Sequence, residues 1–99
     1  MKSLKEITDE KIGKYLAITK RAMDKAEILA PERSYARRIA EDFMKMASSY
    51  YSDALHFHKN GDYVNAFACV NYAHGWLDCG ARLGIFDVKG DDVLFTLSE

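Results

Sequence analysis

One segment, residues 62–84, constrains the fold most, because it reads as a single helix that is apolar around nearly its whole circumference. It contains the only tryptophan, both cysteines and three of the six glycines. Within it, Ala66, Ala73 and Gly80 form a row of small residues spaced by seven. Such a row lets a neighbouring helix approach closely. We expect it to face one of the two helices that precede it in the chain, helix 2 or helix 1. Two other helices would leave part of this surface open to the tail, a second subunit or a ligand.

A first helix is predicted over residues 9–30. Its apolar residues recur at steps of three and four, which is the spacing of a helix that packs along one face. Thr8 or Asp9 can cap its first turn, because a short side-chain oxygen accepts from the free N–H groups there. Pro31 ends this helix, since the residue before a proline is pushed away from the α region.

A second helix is predicted over residues 34–60 from the same spacing of apolar residues. Either Pro31, at the first helical position, or Ser34, as the cap, begins it. Gly61 suits the left-handed position that closes a helix, and Asp62 can cap the helix that follows. So short a joint makes helices 2 and 3 antiparallel neighbours.

The last segment, residues 85–99, is predicted to be an extended tail. Its apolar residues alternate from Val93 to Leu97, which is the pattern of a short strand. Because a two-stranded ribbon alone is marginal in water, we expect this tail to dock on the helices or to pair with its copy in another subunit. The predicted fold is a single all-α domain over residues 1–99, an up-and-down antiparallel three-helix bundle (9–30, 34–60, 63–84) with a short extended C-terminal tail.

Composition and charge narrow the class of protein. The net charge of −1 gives no global attraction to nucleic acid or to an anionic membrane, and no apolar run approaches the ~20 residues of a membrane span. Residues 1–6 include three charged side chains and lack the apolar core of a signal peptide, so we expect a cytoplasmic protein. Cys69 and Cys79 lie about 15 Å apart along one helix, too far for a disulfide, and we expect buried, reduced thiols.

Polar side chains form one stripe on helix 3, in its second half: Asn71, His74, Asp78 and Arg82 step by 3, 4 and 4 residues. One interpretation is a ligand or partner site where imidazole, carboxylate and guanidinium converge. The other is an internal network, because His74–Asp78 and Asp78–Arg82 are both i,i+4 pairs. His74 and Asp78 could supply two metal ligands, but a third is missing unless His58 provides it, so no metal site is predicted.

Signatures of a catalytic nucleophile are missing from the sequence. It contains no Gly-x-Ser-x-Gly, no phosphate-binding glycine loop and no His-Glu-x-x-His. We therefore predict no catalytic residue and no cofactor.

The run over residues 51–86 resembles an uncharacterised archaeal family, domain-of-unknown-function family 357. The specific part is the block Asn71-Tyr-Ala-His-Gly-Trp-Leu-Asp together with Arg82-Leu-Gly. The resemblance implies a small, all-helical three-helix bundle, and it implies no activity. The block also contains the whole polar stripe.

The favoured function is a non-enzymatic interaction or assembly module, with a homodimer or another protein as the partner. Surplus apolar surface on helix 3 motivates it, and the contact surface is expected on helix 3 and the tail, at Trp76, Phe86 and Phe95.

Two alternatives belong to other classes. The first is a small-molecule or metal-dependent enzyme in which His74 is the acid or base, Asp78 orients it and Arg82 binds an anion. The second is an RNA-associated accessory protein that grips phosphates with Arg33, Arg37 and Arg38; the acids interspersed among the basic residues argue instead for an ordinary solvated surface.

Overall fold

The computed structural model describes residues 6–91 and 93–95, and it confirms an all-α bundle of three helices packed together. Two very short strands pair in antiparallel fashion beside them. The elements in chain order are α1 (Asp9–Lys25), β1 (Glu27–Ile28), α2 (Tyr35–Lys59), α3 (Tyr63–Leu83) and β2 (Phe86–Asp87).

Each helix begins at a capping side chain. In each case the side chain accepts a hydrogen bond from the backbone N–H group three residues later. The distance is 3.1 Å for Thr8 before α1, 3.0 Å for Ser34 before α2 and 3.1 Å for Asp62 before α3. Ser34, not Pro31, therefore begins α2. Gly61 has a φ of 79° and closes α2 in the left-handed conformation, as its position in the sequence predicted.

The most extensive pairing of helices is between α2 and α3, and each of these helices buries a row of small residues. On α2 the row is Ala40, Ala47 and Ala54, and every member is fully buried. On α3 the predicted row of Ala66, Ala73 and Gly80 is buried as well. The burial of this row defines which side of α3 faces inward, and at its C-terminal end Gly80 lies against the ring of Phe86.

The first helix ends at Lys25, five residues before the predicted end at residue 30. The chain leaves the helical conformation at Ala26 and forms β1, in which Ile28 pairs with Phe86 of β2. In this conformation Ala26 and Ile28 pack against a buried cluster. If the helix continued, these two side chains would point away from that cluster. Long-range pairing and burial thus override the helical pattern of residues 26–30.

The tail docks on the bundle, but not as the predicted strand. Residues 93–95 form a turn in which the Asp91 carboxylate accepts the N–H groups of Val93 and Leu94, both at 3.0 Å. Leu94 and Phe95 are both buried although they are adjacent, so the alternation interpretation was wrong here; residues 96 and 97 lie outside the described part. Phe86, Val88, Leu94 and Phe95 join the cluster that also contains Ala40, Ala47 and Leu77.

Candidate functional site

The outward side of α3 carries a continuous apolar surface. It lies opposite the buried residues of the helix, which face α2 and α1. Three of its side chains are large and well exposed, at 70% for Val64, 63% for Tyr72 and 65% for Leu83. We call this surface the outer stripe, and its six exposed residues are Val64, Ala68, Tyr72, Gly75, Cys79 and Leu83.

The outer stripe contains no Asp, Glu, Lys, Arg or His. Polar residues line one of its edges, where Asn71 and Arg82 are exposed and Asp78 is partly exposed, and Asn65 is exposed on the other edge near the start of the helix. Further along this other edge lies Trp76, which is partly buried between α3 and α2. The stripe therefore has one polar border and, past its first turn, one aromatic border.

Aromatic contacts with α2 hold two of these side chains in place. The Tyr72 ring stacks on Tyr50, with centroids 5.3 Å apart and planes at 25°, and the Trp76 ring meets Phe43 edge-on at 4.9 Å. Between them the backbone of Gly75 leaves a hollow, since a Cβ placed there would meet no atom within 4 Å. The hollow has a volume of about 270 Å³ and is lined by Tyr72, Gly75, Trp76 and Cys79.

His74 points away from the outer stripe and joins three parts of the chain. Its Nε2 donates to the carbonyl oxygen of Leu94 in the tail at 2.7 Å, because a carbonyl oxygen only accepts. Its Nδ1 lies 3.1 Å from the hydroxyl of Thr19 on α1, a side chain that is 1% exposed. In the neutral ring this hydroxyl donates to Nδ1, so both ring nitrogens are used within the fold.

The structure brings three of the four predicted stripe residues to one pocket. Asp78 Oδ1 lies 3.8 Å from Nε2 of His74, which is too long for a hydrogen bond. Arg82 does not contribute to the lining of this pocket. The pocket has a volume of about 230 Å³ and is lined by Tyr15, Ile18, Asn71, His74, Gly75 and Asp78.

Metal-binding geometry is missing from residues 6–91 and 93–95, where no three His, Cys, Asp or Glu side chains cluster as ligands. His58, the one candidate for a third ligand, lies elsewhere. Its Nε2 is 2.6 Å from Oδ1 of Asp9, at the start of α1.

The predicted interface residues are not equally available. Trp76 is partly exposed, whereas Phe86 and Phe95 are each 3% exposed and belong to the core of the chain itself. The cysteines also differ: Cys79 is exposed, contrary to the expectation of two buried thiols, while burial raises the pKa of the Cys69 thiol.

Sequence reasoning identified surplus apolar surface on helix 3 but placed the contact surface at Trp76, Phe86 and Phe95 instead of the outer stripe. Val64, Ala68 and Leu83 carry no chemical signal of their own. The signal that could have found them is the helical position opposite the small-residue row, at about 100° per residue.

Comparisons with known proteins identify a family without assigning an activity. The family model described as a protein of unknown function (DUF357) matches residues 14–86, well over half of the chain. A search of the curated proteins and a search of the solved structures each found no match. Among the described residues, no helix has the length and apolarity needed to cross a bilayer. The chain therefore belongs to the DUF357 family of proteins of unknown function.

Proposed function

We propose that this protein is a non-enzymatic interaction module that docks a protein partner on the outer stripe of α3. The observation that carries the proposal is the continuity of this surface: six exposed, uncharged residues follow the helix from its first turn to its last. Single exposed apolar residues are normal on a soluble protein, whereas contiguous apolar surface marks interaction sites. We place the protein in the cytoplasm, where the exposed Cys79 thiol stays reduced.

The energetics support docking at this surface. Fully burying a side chain the size of Val64 or Leu83 contributes roughly 1.5–3 kcal/mol relative to leaving it in water. Tyr72 and Trp76 are already fixed by their ring contacts with α2, so little side-chain entropy is lost when a partner covers them. Rigid aromatic residues at the centre of an apolar patch are the usual anchors of protein interfaces.

The geometry favours this function over catalysis at His74. A general acid or base needs a ring nitrogen that can reach the substrate, and both nitrogens of His74 are bonded to Leu94 and Thr19. These bonds hold α1, α3 and the tail together, which is a structural role.

The geometry also favours the interaction module over phosphate binding at Arg37, the middle one of the three predicted arginines. The Arg37 guanidinium donates to the carbonyl oxygen of Ala30 at 3.2 Å and lies 4.0 Å from the Glu41 carboxylate. Arg37 thus serves the junction before α2, and Glu41 offsets its charge.

The accessibility of the Cys79 thiol tests the proposal without knowledge of the partner. Its rate of alkylation is measured by peptide mass spectrometry in dilute purified protein and in a gentle, concentrated extract of cells that make the protein, in which the protein is kept well above about 1 μM. We expect much slower alkylation in the extract, because a docked partner covers Cys79. The control is the thiol introduced by Ala17→Cys on the exposed face of α1, which should react equally fast in both samples. Equal rates at Cys79 in both samples would refute the proposed function.

A further inference from the structure

We infer that the partner on the outer stripe is a second copy of this chain, with the two α3 helices antiparallel about a two-fold axis between residues 73 and 74. This inference rests on the proposed function. Its first support is the spacing of the stripe, whose residues follow one another at steps of 4, 4, 3, 4 and 4. These steps read the same in both directions, so an antiparallel copy presents apolar residues at matching heights. A two-fold interface requires such a self-matching patch.

The axis defines which residues meet. Val64 faces Leu83 of the partner subunit, so a large apolar residue is covered at each end of the interface. Ala68 faces Cys79 of the partner subunit, which places two small side chains where the helices must approach closely. Tyr72 faces Gly75 of the partner subunit, next to the axis. Each contact occurs twice.

The shape of the surface fits this pairing. The hollow at Gly75 has a volume of about 270 Å³. A cavity of about 150 Å³ already accepts a benzene ring, so this one is large enough for a phenol ring. The largest side chain of the stripe, Tyr72, is the one that the axis places opposite this hollow. The protein thus carries both an exposed ring, held against Tyr50, and an open hollow where the same ring of a second copy can pack.

Charge also permits a second copy. The stripe brings no like charges together, and the net charge of the chain is only −1. A two-fold axis of this kind places the polar edges of the two copies side by side. Asp78 of one copy and Asn71 of the partner subunit then lie two residues apart along the helix axis, a distance of about 3 Å. A carboxylate and an amide are complementary there, since the amide N–H groups donate and the carboxylate accepts.

The size of the surface sets the expected affinity. At 1.5 Å per residue, α3 is about 31 Å long, and a contact about 10 Å wide gives a footprint of roughly 300 Å² per copy. Standard interfaces bury about 800 Å² per partner. Even with contributions from the edge of α2, this is a small interface, so we expect a reversible dimer with a dissociation constant above about 1 μM.

Disulfide trapping tests the register. In a Cys69→Ala background, which leaves Cys79 as the only native thiol, Ala68→Cys adds a thiol opposite Cys79 of the partner subunit. Mild oxidation at about 0.1–1 mM should then give a covalent dimer with two disulfides. Cys79 alone should not cross-link, because the two Cys79 residues would lie eleven residues apart, about 16 Å along the axis. Ala17→Cys in the same background controls for random collisions.

The outcomes separate the inference from the proposed function. Sedimentation at the same concentrations should show a dimer that dissociates on dilution. A protein that stays monomeric up to about 1 mM overturns the second copy, and slow Cys79 alkylation in the extract would then show a different protein on the stripe. A reversible dimer that Ala68→Cys fails to cross-link overturns the antiparallel register. Equal cross-linking of Ala68→Cys and Ala17→Cys also overturns it.

Discussion

Phe86 packs on Gly80, so the effect of Gly80→Ala on the free energy of unfolding depends on this one neighbour. A Cβ built on Gly80 would overlap the ring of Phe86, which is 3% exposed. Alanine in a helix is favoured over glycine by about 1 kcal/mol, whereas forcing an extra carbon into a packed site costs about 1–3 kcal/mol. We therefore expect Gly80→Ala to lower the free energy of unfolding by about 1 kcal/mol net.

Two matched variants isolate the cause. Gly75→Ala is in the same helix but meets no atom within 4 Å, so it should raise the free energy of unfolding by about 1 kcal/mol. In a Phe86→Ala background the obstacle is gone, and Gly80→Ala should become stabilising by a similar amount. Phe86→Ala alone should lower the free energy of unfolding by about 3–5 kcal/mol. The single variant Phe86→Ala and the double variant with Gly80→Ala are therefore compared in a stabilising osmolyte.

The assay is urea unfolding, followed by helical circular dichroism and by the fluorescence of Trp76, at protein concentrations low enough to keep the chain monomeric. If Gly80→Ala proves as stabilising as Gly75→Ala while Phe86 is present, the ring does not lie on Gly80. The docking of the tail on α3 would then be wrong.

Two further variants address the contacts that hold the tail and α1. Thr19→Val leaves Nδ1 of the partly buried His74 without its donor and should cost about 1–3 kcal/mol in the same unfolding assay; unchanged stability would refute the link. The Lys25 ammonium and nearby backbone N–H groups hold the pKa of Asp91 at about 2, below its usual 3.8. A carboxylate with a depressed pKa stabilises the fold above pH 3.8, and this stabilisation is lost as the pH falls toward 2. The difference in the free energy of unfolding between wild type and Asp91→Asn should therefore shrink between pH 3.8 and pH 2. A difference that stays constant would contradict the role of Asp91.

Local sequence signals predicted the bundle itself. The glycine and aspartate of the joint, Gly61 and Asp62, act as expected because helix termination and capping depend on a few neighbouring residues. The row of Ala66, Ala73 and Gly80 is buried as expected, although Gly80 lies against the ring of Phe86 in β2. The match of the chain to DUF357 also agrees with the resemblance of residues 51–86.

Contacts between distant parts of the chain could not be read from the sequence. The end of α1 depends on pairing between Ile28 and Phe86, and nothing near residue 26 signals it. His74 was paired with Asp78 on helical spacing, but its hydrogen-bond partners are Thr19 and the Leu94 carbonyl oxygen. A backbone acceptor has no sequence signature, which is why the partners of His74 could not be read from the spacing of the polar stripe.

The outer stripe illustrates a further limit. A helix that is apolar on all sides signals surplus surface, but the exposed part depends on where the other helices lie. That position is a property of the whole bundle. An archaeal source and a homodimer both remain predictions.

The most direct test of the central claim is the native mass of the protein gently purified from cells that make it, compared between Ala68→Glu and Ala17→Glu. Both replace an exposed helical alanine by the same charge, but only Ala68 lies in the outer stripe. Held at about 0.1–1 mM, well above the expected dissociation constant, wild type and Ala17→Glu should retain a species heavier than the monomer, and Ala68→Glu should be monomeric with unchanged helical content. Identical mass distributions for all three proteins would contradict it.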